Sequence, residues 1–321
     1  MSLLNDPAPS TDLDSHTLRI VRAVAENGSI TAAAAALGFS QPAISQHLKR
    51  AEQRIGMPIV ARAGRSVRLT EAGRVLERHA RTITTALDAA AGELAELAGL
   101  RAGRVRLAAF PSASSTLVPQ LLGRIARRHP GLGISYLEAE PPEAVRAVRD
   151  QRADLALTFS YPGDRVDPHR DSARGLVVAP LWRDEMFVVL PAGHPAANAP
   201  RVALDTLAAE NWIGGCPRCR GHLLQLAEES GFVPAISYET DNFVAVLGMV
   251  AAGLGVALTP SLAIDAAAVP SGVVIRPTSR KDHRTIHLVG AAGSDQVPAI
   301  AATAAAIMDL DISAWSLASL R

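Results

Sequence analysis

Residues 214–222 read Gly-Gly-Cys-Pro-Arg-Cys-Arg-Gly-His and contain both cysteines of the 321-residue chain. Two thiols spaced Cys-x-x-Cys, with a histidine three residues on, suit three kinds of chemistry. They can hold a soft metal, exchange between dithiol and disulfide, or line a pocket as small apolar groups. A closed zinc site wants four ligands, and no second Cys/His pair stands near this one in the sequence. His222 also stands six residues from Cys216, off a single helical face, so no metal is assigned. The switch and the pocket lining both stay open. A helix expected near 218–230 would start just after Cys216, with Gly214-Gly215 as the turn. A thiolate there gains from free backbone N–H groups and from Arg218 and Arg220 close in sequence.

No other segment carries a catalytic pattern. Gly253-Leu254-Gly255 lacks the third glycine of a dinucleotide fingerprint and precedes a strand. There is no phosphate loop and no Gly-x-Ser-x-Gly elbow. His16, His47, His79, His129, His222, His283 and His287 are mostly isolated, for which packing or surface roles are the default. Pro111-Ser112-Ala113-Ser114-Ser115-Thr116 joins a strand to a helix, so its hydroxyls and N–H groups can cap that helix or face an anion. No enzyme and no cofactor are expected.

Composition narrows the setting. Apolar residues make up 48% and charged residues 20%, which is ordinary for a globular chain. No apolar run reaches the ~18 residues of a membrane span. The first fifteen residues lack the basic-then-apolar order of a secretory signal, and 1–12 read as a disordered tail. A cytoplasmic location, with reduced thiols, follows. Residues 12–75 hold nine Lys/Arg against five Asp/Glu, whereas 104–321 hold twenty against twenty-one. The positive excess therefore sits in the N-terminal part, which suits phosphate contacts.

That part has the elements to use it. Apolar spacing over 14–26 predicts a helix closed by Asn27-Gly28. Thr31 to Leu37 is a short, strong helix former, with Ser29 or Thr31 as cap. Gly38-Phe39 turns, and Ser40 caps a third helix with Pro42 in its first turn. Two helices joined by a glycine turn predict a helix-turn-helix. On the third helix Ala43, Ile44, Leu48 and Ile55 can pack inward. Gln41, Ser45, Gln46, Lys49 and Arg50 fall largely on the other side, as residue types that read base edges or hold phosphates. A plain solvated face would look the same, but a hairpin follows, with Arg62 and Arg65 around an Ala-Gly-Arg turn. A basic hairpin there is a wing.

From Thr70 a further helix runs to about residue 98. Leu76, Ala80, Ile83, Leu87, Ala90, Leu94 and Leu97 are spaced 4, 3, 4, 3, 4, 3, an a/d seam. It predicts a dimer-forming linker helix, since dimers of such units match palindromic half-sites. Beyond residue 104 strands and helices alternate, which predicts a parallel sheet faced by helices. Strands are expected at 105–110, 133–139, 154–160, 176–181, 185–191, 235–240, 255–258 and 284–290. Helices are expected at 117–128, 143–152, 218–230, 243–252 and 298–310.

The string from Ser29 to Glu52, with Gly56, Arg62, Arg65 and Leu69-Thr70-Glu71-Ala72-Gly73, closely resembles the LysR-type transcriptional regulators. Asp154-Leu155-Ala156-Leu157 and the run from Val250 to Pro260 stand where that family has similar strings, so the resemblance covers 13–310. One departure is Val60-Ala61, where the family often has Leu-Phe. The resemblance implies an α+β multi-domain fold: a winged helix-turn-helix at 13–70, a linker helix at 71–100 and an effector-binding domain at 104–321. That domain would be a periplasmic-binding-protein-like pair of α/β subdomains, I at 104–179 with 275–310 and II at 180–274. The crossings would fall near 179–182 and 268–274.

The resemblance also implies partners and residues. The protein would bind double-stranded promoter DNA as a homotetramer, a dimer of dimers, with a small, commonly anionic effector between the subdomains. By position, Thr31, Ser40, Gln41, Pro42, Ser45, Gln46 and Lys49 would contact DNA, with Arg62 and Arg65 on the wing. Ser112, Ser114, Ser115 and Phe159 would face the effector from one subdomain. Trp212, Gly215, Cys216, Cys219, Asp241, Asn242 and Phe243 would face it from the other. Two rival readings remain. One is a regulator answering redox state through Cys216 and Cys219. The other is a binding or enzymatic α/β protein without DNA binding, which predicts a signal peptide or a catalytic cluster.

Overall fold

The computed structural model describes residues 13–63, 66–97, 103–163, 169 and 175–320. The expected tail at 1–12 and Arg65 lie outside them. The chain divides into two compact units, Met1–Ala98 with Ala292–Val297 and Gly99–Ala291 with Pro298–Arg321.

The first unit starts with α1 (Ser15–Asn27), α2 (Ile30–Leu37) and α3 (Gln41–Ile55). Gly28, Gly38 and Gly56 close them in turn, each in the left-handed region that a side chain disfavours. At the N-termini, Asp14, Ser29 and Ser40 side chains accept from Thr17, Ala32 and Ala43 N–H groups. Strands β1 (Val60–Ala63) and β2 (Ser66–Leu69) then pair antiparallel, Arg62 opposite Val67. Glu52 of α3 anchors this hairpin, accepting N–H bonds from Ile59 at 2.8 Å and Val60 at 3.2 Å. The unit's core joins Ile20, Val21, Val24, Ala33, Ile44 and Leu48.

Helix α4 (Glu71–Leu97) starts against that core, and here the expected seam divides. Leu76 and Ala80 are buried with α1, whereas Ile83, Leu87 and Leu94 are 40%, 52% and 66% exposed. Among the described residues of the seam, Leu76 and Ala80 are the ones buried within the chain. Gly73 lets α4 begin so close to the hairpin, since a Cβ there would overlap the Ile59 carbonyl oxygen and press on Leu69.

The second unit opens with β3 (Arg104–Ala109), α5 (Pro111–Ser114), α6 (Leu117–Arg128), β4 (Gly133–Glu138), α7 (Pro141–Arg149) and β5 (Leu155–Ser160). It continues with β6 (Leu176–Pro191), β7 (Asn211–Gly214), α8 (Pro217–Glu229), β8 (Ala235–Glu239), α9 (Phe243–Ala251) and β9 (Ala257–Pro260). Last come α10 (Ser261–Asp265), β10 (Val273–Pro277), β11 (His283–Ala291), α11 (Pro298–Met308) and β12 (Leu317–Ser319). Strands β5, β3 and β4 are parallel, as are β7 and β8. The sheet is nevertheless mixed, because β11 pairs antiparallel with both β5 and β6.

The two strands expected at 176–181 and 185–191 are one, the sixteen-residue β6. Its residues 176–185 pair with β11, and 186–191 pair with β9 and β10. The crossing therefore falls at 185–186 rather than 179–182. Strand β10 still belongs to the far half, so the return falls between Pro277 and His283, later than 268–274. Each half has its own core. Ala144, Val145 and Val148 of α7 pack on Ala108, Ala156 and Val289. Alternate β6 residues serve opposite faces of the other half, Val188 and Leu190 meeting Trp212, Leu223 and Leu226, and Val189 meeting Val246 and Val250.

Candidate functional site

Two surfaces collect the residues singled out in the sequence. The first is α3. Ile44, Leu48 and Ala51 are buried, and burial of each large side chain contributes about 1.5–3 kcal/mol. The opposite face stays open: Ser40, Gln41, Pro42, Gln46 and Lys49 are exposed, as is Thr31 on α2. Ser45 is half-buried and accepts from Gln41 Nε2 at 2.9 Å. Ala43, expected inward, is exposed, because it lies one position off the buried stripe. Arg62 stands on β1.

What fixes α3 was not visible in the motif. His47 Nε2 lies 2.9 Å from the Thr17 hydroxyl, and Arg54 donates to Asp14 at 2.6 Å, so two side chains of α3 clamp the start of α1. Burial opposes ionisation of Asp14, but donors from Arg54, the Thr17 N–H and the Thr17 hydroxyl outweigh it and hold the carboxyl well below its usual range. Burial lowers His47.

The second surface is a cleft of about 450 Å³ in the second unit. Arg284 of β11 lines it and belongs to a buried ion pair, donating to Asp184 of β6 at 2.8 Å, with both side chains almost fully buried. Asp184 also accepts from the Ser261 hydroxyl and the Leu262 N–H, while Arg284 donates to Ser112 at 2.7 Å. The guanidinium lies over the Phe110 and Phe159 rings, 4.9 and 4.5 Å from their centroids. Among the described lining residues, Glu138, Glu140 and Asp241 are carboxylates and Arg284 the one cation, already bridged to Asp184. An anionic effector would meet three carboxylates here. Burial, then the Cys219 charge, pushes Glu140 up to about 7, and its Oε2 finds no hydrogen-bond partner among the described residues.

Cys216 and Cys219 both line this cleft as free thiols. Cys216 is the N-cap of α8. Its thiol donates to Cys219 Sγ at 3.0 Å, and Tyr161 donates to the same sulfur at 3.4 Å. That hydrogen bond from Cys216 lowers the Cys219 pKa against a burial penalty, with help from Arg284, Tyr161 and Arg218. The Cys216 thiol is pushed up by the same contact and by burial. His222 is buried and stacks on Tyr161, centroids 3.9 Å apart. Among the described residues no group of three or more His, Cys, Asp or Glu side chains is placed to hold a metal ion.

Ser112, Ser115, Phe159, Gly215, Cys216, Cys219, Asp241, Asn242 and Phe243 meet at the cleft. Two expected residues do not. Ser114 turns away to the Phe110 carbonyl and the Tyr136 hydroxyl. Trp212 is fully buried beside Phe232, because strand alternation gives the cleft to its neighbour Ile213. Glu140, Arg284, Asp184 and Tyr161 were missed.

Comparison with known proteins finds relatives for both parts of the chain. Residues 15–74 match the model of the bacterial regulatory helix-turn-helix protein, lysR family, and 98–310 that of the LysR substrate binding domain. A probable hydrogen peroxide-inducible genes activator of Mycobacterium avium is 30% identical over 86% of this chain and 92% of its own. The HTH-type transcriptional regulator TtuA of Agrobacterium vitis is 30% identical over 76% of this chain and 79% of its own. A full-length OxyR from Pseudomonas aeruginosa has the same fold, with a TM-score of 0.66 at 22% identity, covering 94% of this chain and 97% of that one. With matched helix-turn-helix and substrate-binding parts spanning most of its length, the chain belongs to the LysR family of transcriptional regulators.

Proposed function

We propose that this regulator reads promoter DNA with the exposed face of α3 and reports the state of the cleft to that reader. The observation that carries this is the division of α3: a buried apolar stripe and the His47 and Arg54 clamps fix the helix, while Gln41, Gln46 and Lys49 stay exposed. Gln41, Ser45 and Gln46 read base edges, Lys49 and the wing arginines Arg62 and Arg65 hold phosphates, and Thr31, Ser40 and Pro42 set the approach. Subdomain I comprises 104–185 with 283–310, and subdomain II 186–277. The exposed end of the α4 seam joins two chains, and two dimers make the tetramer. The protein works in the cytoplasm and turns over no substrate. A footprint on the DNA upstream of its own gene tests the reading: protection of paired half-sites is expected, and uniform protection of unrelated DNA overturns it.

A second reading concerns the input: the cleft answers thiol redox state rather than a metabolite. The 3.0 Å approach of two free thiols inside the cleft favours it, and the relative named as a hydrogen peroxide-inducible genes activator supports it. The same footprint, run reduced and mildly oxidised on wild type and Cys216→Ser, separates the inputs. A change in wild type alone indicates redox. No change in either leaves the thiols as pocket lining.

A further inference from the structure

Three features of the cleft bear on the redox reading. The first is the division of labour between the thiols. Cys219 Sγ accepts from the Cys216 thiol and the Tyr161 hydroxyl, with the Arg284 and Arg218 guanidinium groups near. This sulfur is set up as a thiolate, and Cys216 is held as the protonated partner. The second is Glu140, whose carboxyl lies against Cys216 with a buried oxygen unbonded. The third is size and polarity. A cleft of about 450 Å³ far exceeds hydrogen peroxide, which is little larger than a water molecule at roughly 30 Å³. Phe110, Phe159, Phe243, Ile213 and Leu258 give it apolar walls, and Glu138 and Asp241 disfavour anions.

We propose that Cys216 and Cys219 are a reactive dithiol for uncharged organic hydroperoxides, with Cys219 attacking and Cys216 resolving. This rests on the redox reading above and deepens it. The Cys219 thiolate attacks the terminal oxygen of ROOH. The S–O bond forms, the O–O bond breaks, and the alkoxide leaves as ROH with the Glu140 proton. The Glu140 carboxylate then takes the Cys216 proton. Cys216 attacks the sulfenic sulfur, the S–S bond forms, and hydroxide leaves with that proton as water. Two thiol sulfurs lose two electrons, and the peroxide gains them.

The test uses the reduced full-length protein with one equivalent of cumene hydroperoxide or hydrogen peroxide, following free thiols and intact mass. Cumene hydroperoxide should oxidise both thiols faster by about tenfold or more, the ratio that a small apolar group earns in a fitted pocket. Cys216→Ser should accumulate a sulfenic acid that dimedone tags, and Cys219→Ser should give none. Cys216→Ala and Cys219→Ala repeat the pair if a serine variant unfolds. Tagging in the reverse order overturns the assignment of roles. Equal rates with the two peroxides overturn the ligand class. Loss of no thiol overturns the dithiol itself. DNA binding by the reduced wild type is read separately, so a failed thiol result with intact DNA binding removes this proposal and leaves the regulator standing.

Discussion

Asp184 and Arg284 stand 100 residues apart in sequence and meet at 2.8 Å, where β6 passes between the halves of the second unit. Their partners come from both sides: Ser112 from α5, Ser261 and Leu262 from α10. A charge so placed is tolerable only while its counter-charge stays. Arg284→Met should therefore cost about 3–5 kcal/mol, read as a lower urea midpoint for the second unit. Asp184→Leu with Arg284→Met together should cost much less, because neither leaves an uncompensated charge. Equal losses for single and double variants would contradict the pairing.

On α3, the base-reading and phosphate-holding residues should separate by their signatures. Gln46→Ala is expected to lose about 1–3 kcal/mol on the preferred sequence and to relax choice at one base pair. Lys49→Ala should weaken binding to all sequences and reduce the salt slope by about one. Titrations on specific and random DNA at several salt concentrations distinguish them.

The exposed end of the α4 seam makes a prediction about assembly. Leu87→Glu with Leu94→Glu should convert dimers and larger species to monomers in sedimentation. The melting of the helix-turn-helix core should hardly move, because that core is closed by Leu76 and Ala80.

Glu140 gives the cleft a pH signature. Its carboxyl is raised from 4.5 to about 7. A raised acid favours the folded state while protonated, so its contribution is full below about 4.5 and is lost as pH rises through about 7. Glu140→Gln should flatten the decline of stability across that window. An unchanged profile would show that the carboxyl does not sense the cleft.

At Gly73 a Cβ would overlap the Ile59 carbonyl oxygen. Gly73→Ala should displace the start of α4 and lower the thermal midpoint of the first unit. An exposed control, Ala86→Gly, should cost that unit no more than roughly 1 kcal/mol of stability.

How much of this was legible depended on the range of the signal. The three glycine-closed helices, the apolar stripe of α3 and the Cys-x-x-Cys turn are local patterns, and each lies within two residues of its expected place. The cleft is partly local too, since Ser112, Cys216 and Asp241 begin segments that open into it. Arg284 and Asp184 gave no such sign. Asp184 sits between Arg183 and Glu185 on β6, Arg284 follows His283 on β11, and nothing in spacing marks which charge has a partner 100 residues away. Trp212 and Ser114 failed for the opposite reason: they neighbour cleft residues, but strand alternation and a tight turn point them elsewhere.

Strand β11 lies between β5 and β6 in the sheet, yet it is made more than a hundred residues after β5. During synthesis the helix-turn-helix is released from the ribosome first and can fold from its own residues. The edge of β5 meanwhile stands open until 283–291 emerge, and an open edge is a template for wrong pairing. The nascent chain should therefore be a capable DNA reader well before it is a sensor. Chaperone dependence should concentrate in ribosome-bound chains that end between β6 and β11.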